Sequence, residues 1–295
     1  MAWFEFDWVD AFTDSAFGGN GCAVVHQGAG LDSETAMAFV RETSLVECTF
    51  TGPSDIADLR VRYFLAGKEL PFAGHPTIAT VAALRSRGLI PGDRIALETG
   101  VGVVPVRLDG DRIEMTQIAP VFGPVVDASV VAQAIRLSPD AIISPPQVVS
   151  TGVPFCITLL RDHGDLRAAR LDVEALGRMA EALGLGPQHI AEPFLVTLKG
   201  ATARGDTFSR LLLAPPSPPE DPFTGSATGA MAAYLWHHGL LAKDSFVAEQ
   251  GHGLGRPGRA WVSRVGPTDA MTGIRVAGQG FVLMRGEVEL PVGDG

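Results

Sequence analysis

The sequence predicts an α+β protein of two pseudo-symmetric domains, each a curved mixed β-sheet or barrel around a central apolar helix. Three observations lead to this fold class. Two stretches of the chain resemble each other at a constant spacing, and each contains a helical segment without a polar face. Short β-rich runs bounded by Gly, Pro and Asp surround both segments. A helix that is apolar all round must be enclosed, and curved sheets are what the remaining sequence offers to enclose it.

The repeat is visible in two segments. Residues 71–90 read PFAGHPTIATVAALRSRGLI, and residues 222–241 read PFTGSATGAMAAYLWHHGLL. Subtracting 71 from 222 gives an offset of 151 residues, and at this offset Pro, Phe, Gly, Thr, Ala and Leu positions coincide without a gap. Chance similarity between two alanine-rich helices is the alternative interpretation. The coincidence of Gly and Pro as well as Ala favours an internal duplication.

Each repeat predicts a strand, a glycine turn and a helix. The strands are expected at Leu59–Phe64 and Phe208–Leu213, and the helices over 75–87 and 226–238. Each helix is expected to close at a glycine in the C′ position. We expect an N-terminal repeat domain over 1–118, completed by a C-terminal strand at 281–295, and a second repeat domain over 119–280.

Composition excludes several classes of protein. The net charge of −10 and the absence of a Lys/Arg cluster exclude a nucleic-acid partner. No run approaches the roughly 18 apolar residues of a membrane span, and acids near Met1 argue against a signal peptide. Three cysteines without C-x-x-C spacing disfavour a disulfide framework and a zinc site. We therefore expect a cytoplasmic protein without a membrane partner.

The glycine turns before the two helices are candidate anion sites. Gly74-His75 begins the first helix and Gly225-Ser226 begins the second. A helix N-terminus carries unpaired N–H groups and the positive end of the helix dipole, so it attracts a carboxylate or an enolate-like oxygen. Purely structural, capped helix ends are the alternative. Two such ends facing a common cleft would grip a small carboxylate-bearing substrate.

Titratable residues at these turns break the internal symmetry. Asp221 precedes the second turn, where the first repeat has Leu70. His75 lies at the first turn, where the second repeat has Ser226. Such departures favour chemistry over scaffolding, but an Asp before Pro is also common in surface turns. Both interpretations of Asp221 stay open here.

Glu47 interrupts a β-like apolar run between Leu45 and Phe50. A carboxylate there points either to solvent on an edge strand or into a site. The alternation of the run, taken by itself, favours the solvent-facing position. Inside a site, partial burial would suit a carboxylate for general acid/base work near neutral pH.

At these residues the sequence resembles the phenazine biosynthesis PhzF-like family, whose fold is similar to that of diaminopimelate epimerase. The matching motifs run through the whole chain, and the pair G-H-x-T and E-D-P-x-T-G-S-A is specific. They are Asp10-Ala-Phe-Thr with Gly19-Asn20, Glu47-Cys-Thr-Phe, Pro71-Phe-Ala-Gly-His-Pro-Thr77, Ser150-Thr-Gly152, Glu220-Asp-Pro-Phe-Thr-Gly-Ser-Ala227, and Glu249-Gln-Gly followed by Gly255-Arg-Pro257.

The resemblance implies a two-domain isomerase with its site in the cleft between the domains. Glu47 would be the acid/base for a proton shift, assisted by His75 and Asp221. Substrate-binding positions would be Asn20, Gly74, Gly225 and Ser226. Members of the family are commonly homodimers and need neither a metal nor an organic cofactor.

Departures from the family pattern concern the substrate more than the chemistry. Val46 stands where a serine is common, Gly258 replaces the usual serine after Gly-Arg-Pro, and the strand at Arg210-Leu-Leu-Leu lacks the usual aromatic residue. Racemases of this fold use a pair of cysteines just before the glycine turns, and here those positions are Ala73 and Thr224. A two-cysteine racemase is therefore excluded unless Cys48 substitutes.

Three functions follow as hypotheses. The leading one is an isomerase in which Glu47 removes and returns a proton on a small carboxylate-containing metabolite without a cofactor. The second is a dehydratase acting on a hydroxy amino acid, since loss of water follows the same proton abstraction. The third is a non-catalytic small-molecule-binding protein on the same scaffold.

Overall fold

The structure is a computed structural model, and it describes residues 1–184, 191–215 and 217–292. Its chain forms two compact units. The first consists of Met1–Met115 together with the residues from Ala277 onward, and the second of Thr116–Val276. Of the closing segment expected at 281–295, the last three residues lie outside the described residues. The α+β prediction is confirmed.

The first unit contains strands β1 to β7, the first four residues of β8, two helices and the closing strand β18, while the last two residues of β8 belong to the second unit. They are β1 Ala2–Ala11, β2 Asn20–Val25, α1 Ser33–Thr43, β3 Glu47–Gly52, β4 Leu59–Phe64, β5 Glu69–Leu70, α2 Gly74–Ser86, β6 Arg94–Thr99, β7 Gly102–Asp109, β8 Arg112–Gln117 and β18 Gly280–Leu290.

Pairing in the first unit mixes parallel and antiparallel neighbours. Strand β1 pairs antiparallel with β18 and β2, and β2 runs parallel to β3. Strand β4 is antiparallel to β3 and β5 but parallel to β6, which leads through antiparallel pairs to β7 and β8. Helix α2 packs against β1, β2, β3 and β18, as the prediction of an enclosed helix requires.

The second unit contains strands β9 to β17 and four helices among the described residues. They are β9 Val121–Val125, α3 Ala128–Ala134, β10 Gln147–Ser150, β11 Pro154–Leu159, α4 His163–Ala168, α5 Val173–Ala182, β12 Pro193–Thr197, β13 Thr207–Leu212, β14 Glu220–Asp221, α6 Gly225–His237, β15 Ser245–Gln250, β16 Gly258–Val265 and β17 Gly273–Gly278, with 3₁₀ turns at Pro139–Ala141 and His252–Leu254.

Its pairings repeat those of the first unit. Strand β11 runs parallel to β12, β13 is antiparallel to β12 and β14, and β13 is parallel to β15, which pairs antiparallel with β16. The second unit's α6 packs against β10, β11, β12 and β16. Helices α2 and α6 each have 13 residues and begin one residue before the predicted start.

Local sequence explains the limits of both central helices. In α2 every residue from His75 to Leu84 is buried, so no face remains for water. Gly88 and Gly239 follow the two helices with φ of +71° and +65°. This left-handed conformation suits glycine and ends a helix at the C′ position, as predicted. Among the described residues, no helix combines the length and the apolar character needed to cross a membrane.

Close approach of α2 to the sheet depends on a small residue on each side. A Cβ built on Gly280 of β18 would lie 2.4 Å from the Cβ of Ala82 in α2. Neither atom belongs to a flexible side-chain end, so backbone must move. Helix and strand therefore meet only because residue 280 has no side chain.

We expect Gly280→Ala to lower the free energy of unfolding by about 1–3 kcal/mol, the usual cost of overpacking. Adding Ala82→Gly should recover part of this loss, less the roughly 1 kcal/mol that glycine costs inside a helix. Urea unfolding measures both. Gly30→Ala is the control, since a Cβ at Gly30 meets nothing within 4 Å. Equal stability of Gly280→Ala and wild type would contradict this account of the packing.

Candidate functional site

Strand β3 carries Glu47 on the face that α2 covers. Thr49, two residues along the same face, bonds Thr80 of α2 through their hydroxyls at 2.9 Å. The opposite face packs on α1, where Phe50 meets Phe39 edge-on. The solvent-facing interpretation of Glu47 is therefore wrong. Alternation does not distinguish inside from outside in this strand, because helices cover both of its faces.

Glu47, His75 and Asn20 come together in the first unit. The nearest Glu47 carboxylate oxygen, Oε2, lies 3.6 Å from His75 Nδ1, and the two side chains are 14% and 7% exposed. Asn20 Nδ2 lies 3.4 Å from the same ring nitrogen. Glu47 is held across the sheet opposite Cys22, two residues beyond Asn20 in β2. Parallel pairing of β2 and β3 thus brings the starts of both strands to the start of α2.

Burial keeps His75 uncharged. Desolvation lowers the pKa of His75 to about 3, and a hydrogen bond with the backbone of Gly21 opposes this shift less strongly. The ring therefore puts no positive charge beside the Glu47 carboxylate at neutral pH. Its Nε2 is buried without a hydrogen-bond partner among the described residues. A buried ring nitrogen of this kind can bond a polar group of a substrate.

The His75 shift predicts a pH dependence of stability. The pKa is lowered by folding, so below pH 6.5 the unfolded chain takes up a proton that the folded chain does not. The His75 contribution should make the free energy of unfolding fall by about 2 kcal/mol from pH 7.5 to pH 5. Urea unfolding of wild type and His75→Asn across this range measures it. The same dependence in both proteins would contradict the prediction.

Asp221, Gly225 and Ser226 lie around the start of α6 in the second unit. Asp221 is buried, at 6% exposure, and its Oδ2 accepts a hydrogen bond from the Thr224 hydroxyl. Gly225 and Ser226 are the first two residues of the helix. In the first unit Gly74 and His75 hold the same places in α2. The structure thus places every predicted site residue at the start of one of the two central helices or beside it.

Neither central helix has a side-chain cap. The N-cap residues are Ala73 and Thr224, and neither makes a capping hydrogen bond. A threonine cap ordinarily contributes about 1 kcal/mol, so the use of the Thr224 hydroxyl elsewhere is a departure from the usual pattern. The first-turn N–H groups of each helix therefore receive no acceptor from their own N-cap side chain, which favours an anion site.

The start of α6 is braced by three residues to which the sequence motifs assign no role, although Thr151 and Gln250 stand in those motifs. Gln117 Nε2 donates to the carbonyl of Gly225 at 2.8 Å, and Thr151 Oγ1 donates to Gln117 Oε1 at 2.5 Å. No side chain would fit at Gly229, because a Cβ there would lie 1.8 Å from Gln117 Oε1. Gln250 bonds the turn from Asp221 to Thr224. Gln250 differs from Thr99, the residue at the equivalent position of the first repeat. This difference is a sequence signal that could have identified Gln250.

Burial disfavours the thiolate forms of the cysteines near this site. Burial raises the pKa of Cys48 to about 12, and burial together with Cys48 and Glu47 raises that of Cys22 well above its usual value. Cys48 packs with Phe50 and Phe39 beside α1, away from the face that carries Glu47. The exclusion of a two-cysteine racemase therefore extends to Cys48. Within the described part of the chain no cluster of three or more His, Cys, Asp or Glu could hold a metal ion.

Comparison with known proteins gives the same family throughout. The family model described as phenazine biosynthesis-like protein matches residues 9–286. An uncharacterized isomerase of Bacillus subtilis, YfhB, is 32% identical over 260 residues, 85% of this chain and 87% of that protein. The trans-2,3-dihydro-3-hydroxyanthranilate isomerase of Pseudomonas aeruginosa is 30% identical over 292 residues, 96% of this chain and 98% of that protein.

Solved structures also match this chain over nearly its whole length. A PhzF-family phenazine biosynthesis protein of Bacillus anthracis superposes with a TM-score of 0.87 at 25% identity, covering 98% of this chain and all (100%) of that one. A hydroxyproline epimerase of Agrobacterium vitis shares the fold at 14% identity, with a TM-score of 0.64 over 98% of this chain and 91% of that one. A match over most of the chain, the specific motifs and the fold lead to one conclusion: this chain belongs to the phenazine biosynthesis-like (PhzF) family and is an enzyme of its isomerase type.

Proposed function

We propose that this isomerase moves a proton on a small carboxylate-bearing metabolite, with Glu47 as the acid/base. The observation that supports it most is the 3.6 Å approach of Glu47 Oε2 to His75 Nδ1, with both side chains largely buried at the start of α2. A carboxylate in such a place can take a proton from a bound substrate, and at 14% exposure it can still exchange that proton with solvent.

The proposed reaction conserves atoms and charge. Glu47 takes a proton from a carbon next to an electron-withdrawing group, and the C–H electron pair delocalises into that group. The Glu47 carboxylic acid exchanges its proton with solvent and then donates a proton to a second carbon, and the double bond moves accordingly. Substrate and product have the same mass, and the carboxylate is regenerated.

His75 and Asp221 would stabilise the charge that develops during transfer. The buried Nε2 of uncharged His75 would accept a hydrogen bond from a polar group of the substrate, and the first N–H groups of α2 would face the developing negative charge with the positive end of the helix dipole. Asp221, Gly225 and Ser226 would contribute from the start of α6. Preorganised N–H donors, such as those at the starts of the two helices, each lower the barrier by about 3–4 kcal/mol in well-studied enzymes.

Asn20 would act beside these residues. Its side-chain amide lies against His75 Nδ1 and the residue is almost fully buried. We propose that it fixes the orientation of the imidazole ring, in addition to the substrate contact that the family resemblance implies. The two units share their order of pairings and the length of their central helices, and we attribute this to an internal duplication.

The test is deuterium transfer from heavy water. The substrate named for the Pseudomonas aeruginosa relative, trans-2,3-dihydro-3-hydroxyanthranilate, is the first acid to offer, followed by a panel of small carboxylic acids. We expect carbon-bound deuterium, seen by proton NMR, in a product whose mass differs from the substrate only by the label. Loss of eighteen mass units would indicate a dehydratase instead. Tight binding of an acid without any deuterium uptake would indicate a binding protein.

A further inference from the structure

The hydroxyl of Thr224 is directed away from the helix that this residue begins. Its backbone has the extended conformation of an N-cap, with φ −112° and ψ 91°. An N-cap threonine ordinarily accepts a hydrogen bond from an N–H of the first helical turn. Here the hydroxyl makes no such bond and donates to Asp221 Oδ2. Thr224 therefore serves the carboxylate of Asp221.

Gln250 holds both ends of the same turn. This residue ends β15 and is fully buried. Its Nε2 donates to the Asp221 carbonyl at 2.8 Å and to Thr224 Oγ1 at 3.3 Å, and its Oε1 accepts from the Thr224 backbone N–H at 3.1 Å. Donors and acceptors match along this series of hydrogen bonds, because Thr224 Oγ1 accepts a bond from Gln250 and donates its own proton to Asp221.

The first repeat forms the same strands and helix without this chain of bonds. At the offset of 151 residues, Asp221, Thr224 and Gln250 correspond to Leu70, Ala73 and Thr99. Thr99 bonds locally instead, to the carbonyl of Gly102 at 2.8 Å. Pro222, Phe223 and Gly225 are kept in both copies. All three polar residues thus differ between the two repeats, while the residues that shape the turn are the same. The fold itself therefore does not require the three polar residues.

We infer that Gln250 is a positioning residue of the reaction, acting on the Asp221 carboxylate through Thr224. This inference rests on the proposed function, in which Asp221 stabilises developing charge. With Oδ2 held by Thr224, and Thr224 held by Gln250, the carboxylate plane is set before substrate binds. An arrangement of this kind raises the rate because no reorganisation is needed during proton transfer.

The test uses full-length variants and trans-2,3-dihydro-3-hydroxyanthranilate in heavy water. We expect Gln250→Leu and Thr224→Val each to lower kcat by about 10- to 100-fold and to change KM less than about threefold. Thr224→Ser keeps the hydroxyl and should stay within about threefold of wild type. The loss of kcat in the double variant should be smaller than the product of the two single losses, because Gln250 reaches the Asp221 carboxylate through the Thr224 hydroxyl.

Gln147→Leu is the matched control. Gln147 is also buried in the second unit, where its Nε2 donates to the Gly123 carbonyl at 3.0 Å and its Oε1 accepts from His238 Nε2 at 2.8 Å. It bonds beside the far end of α6. We expect Gln147→Leu to lower the melting temperature as much as Gln250→Leu does, with kcat unchanged. If the loss of any buried amide side chain lowered kcat, both Gln147→Leu and Gln250→Leu would be slow.

Two results would overturn the inference: wild-type kcat in Gln250→Leu, or independent, multiplying losses in the double variant. Failure of the proposed function is distinguishable, because Glu47→Gln would then keep the wild-type rate whatever Gln250→Leu does. If the wild-type enzyme does not label this acid, the inference can be tested on crystal structures of Thr224→Val and Gln250→Leu. A rotated Asp221 carboxylate in both supports the inference, and an unmoved one overturns it.

Discussion

Replacing Glu47 with Gln is expected to reduce deuterium transfer from heavy water into substrate by about 10³-fold or more. The change keeps the size of the side chain and removes the group that carries the proton, and general acid/base catalysis contributes about 10²- to 10⁴-fold. Because the side chain lies 3.6 Å from His75 and is only 14% exposed, water has little room to replace it. Proton NMR of labelled product gives the rate.

Glu98→Gln is the control for this variant. Glu98 is a partly buried glutamate of β6 in the same unit, and its Oε2 accepts a hydrogen bond from the Ser54 hydroxyl at 2.6 Å. Its replacement should leave labelling at the wild-type rate. Labelling by Glu47→Gln at the same rate as Glu98→Gln would remove Glu47 from the mechanism. KM for the labelled acid should change little in either variant, since the shape of the site is kept.

Replacing Asp7 with Ala is expected to lower the free energy of unfolding by about 3–5 kcal/mol, the usual result of removing one partner from a buried ion pair. Asp7 of β1 is fully buried, and Arg87, the C-cap of α2, bonds its two oxygens at 2.6 and 3.2 Å. His26 Nε2 adds a contact at 2.9 Å. Asp7 therefore anchors the end of the helix that begins with the site residues. Urea unfolding measures the loss.

The loss should depend on pH. Burial raises the pKa of Asp7, but hydrogen bonds from Arg87 and His26 outweigh burial and bring it below the ordinary value of 3.8. A lowered pKa stabilises the folded state above pH 3.8, and this contribution disappears as the pH falls through the folded-state pKa. The difference between wild type and Asp7→Ala should therefore shrink below about pH 4.

Glu5→Ala is the control for Asp7. Glu5 lies on the same strand and contacts the same arginine, but its side chain is 60% exposed. Exposed ion pairs contribute about 1 kcal/mol or less, so we expect little change in the unfolding free energy. A loss of less than 1 kcal/mol in Asp7→Ala would contradict the anchoring role of this residue.

Much of the fold could be predicted because local rules specify it. The central helices were placed to within one residue from the apolar runs and from the glycines that follow them. Strand β4 was predicted at its observed limits, and β13 within a residue. The short helix α4, His163–Ala168, was not predicted, because six residues carry too little periodicity to be recognised.

The arrangement of the candidate site could be predicted only in part. Residue types at the glycine turns indicated where to look, and the structure places Glu47, His75 and Asn20 together. The sequence could not indicate that β3 is covered on both faces, so the orientation of Glu47 was predicted wrongly from alternation alone. Nor could it indicate that the Thr224 hydroxyl bonds Asp221 instead of capping α6.

The sequence by itself determined the family, the repeat and the two enclosed helices, because apolar periodicity, glycine turns and specific motifs act over short stretches of chain. Only the tertiary structure decided which side chains meet, and therefore the uncharged state of His75 and the link from Gln250 to Asp221. These depend on strands paired across long separations, such as β13 with β15, and on burial, which no local pattern specifies.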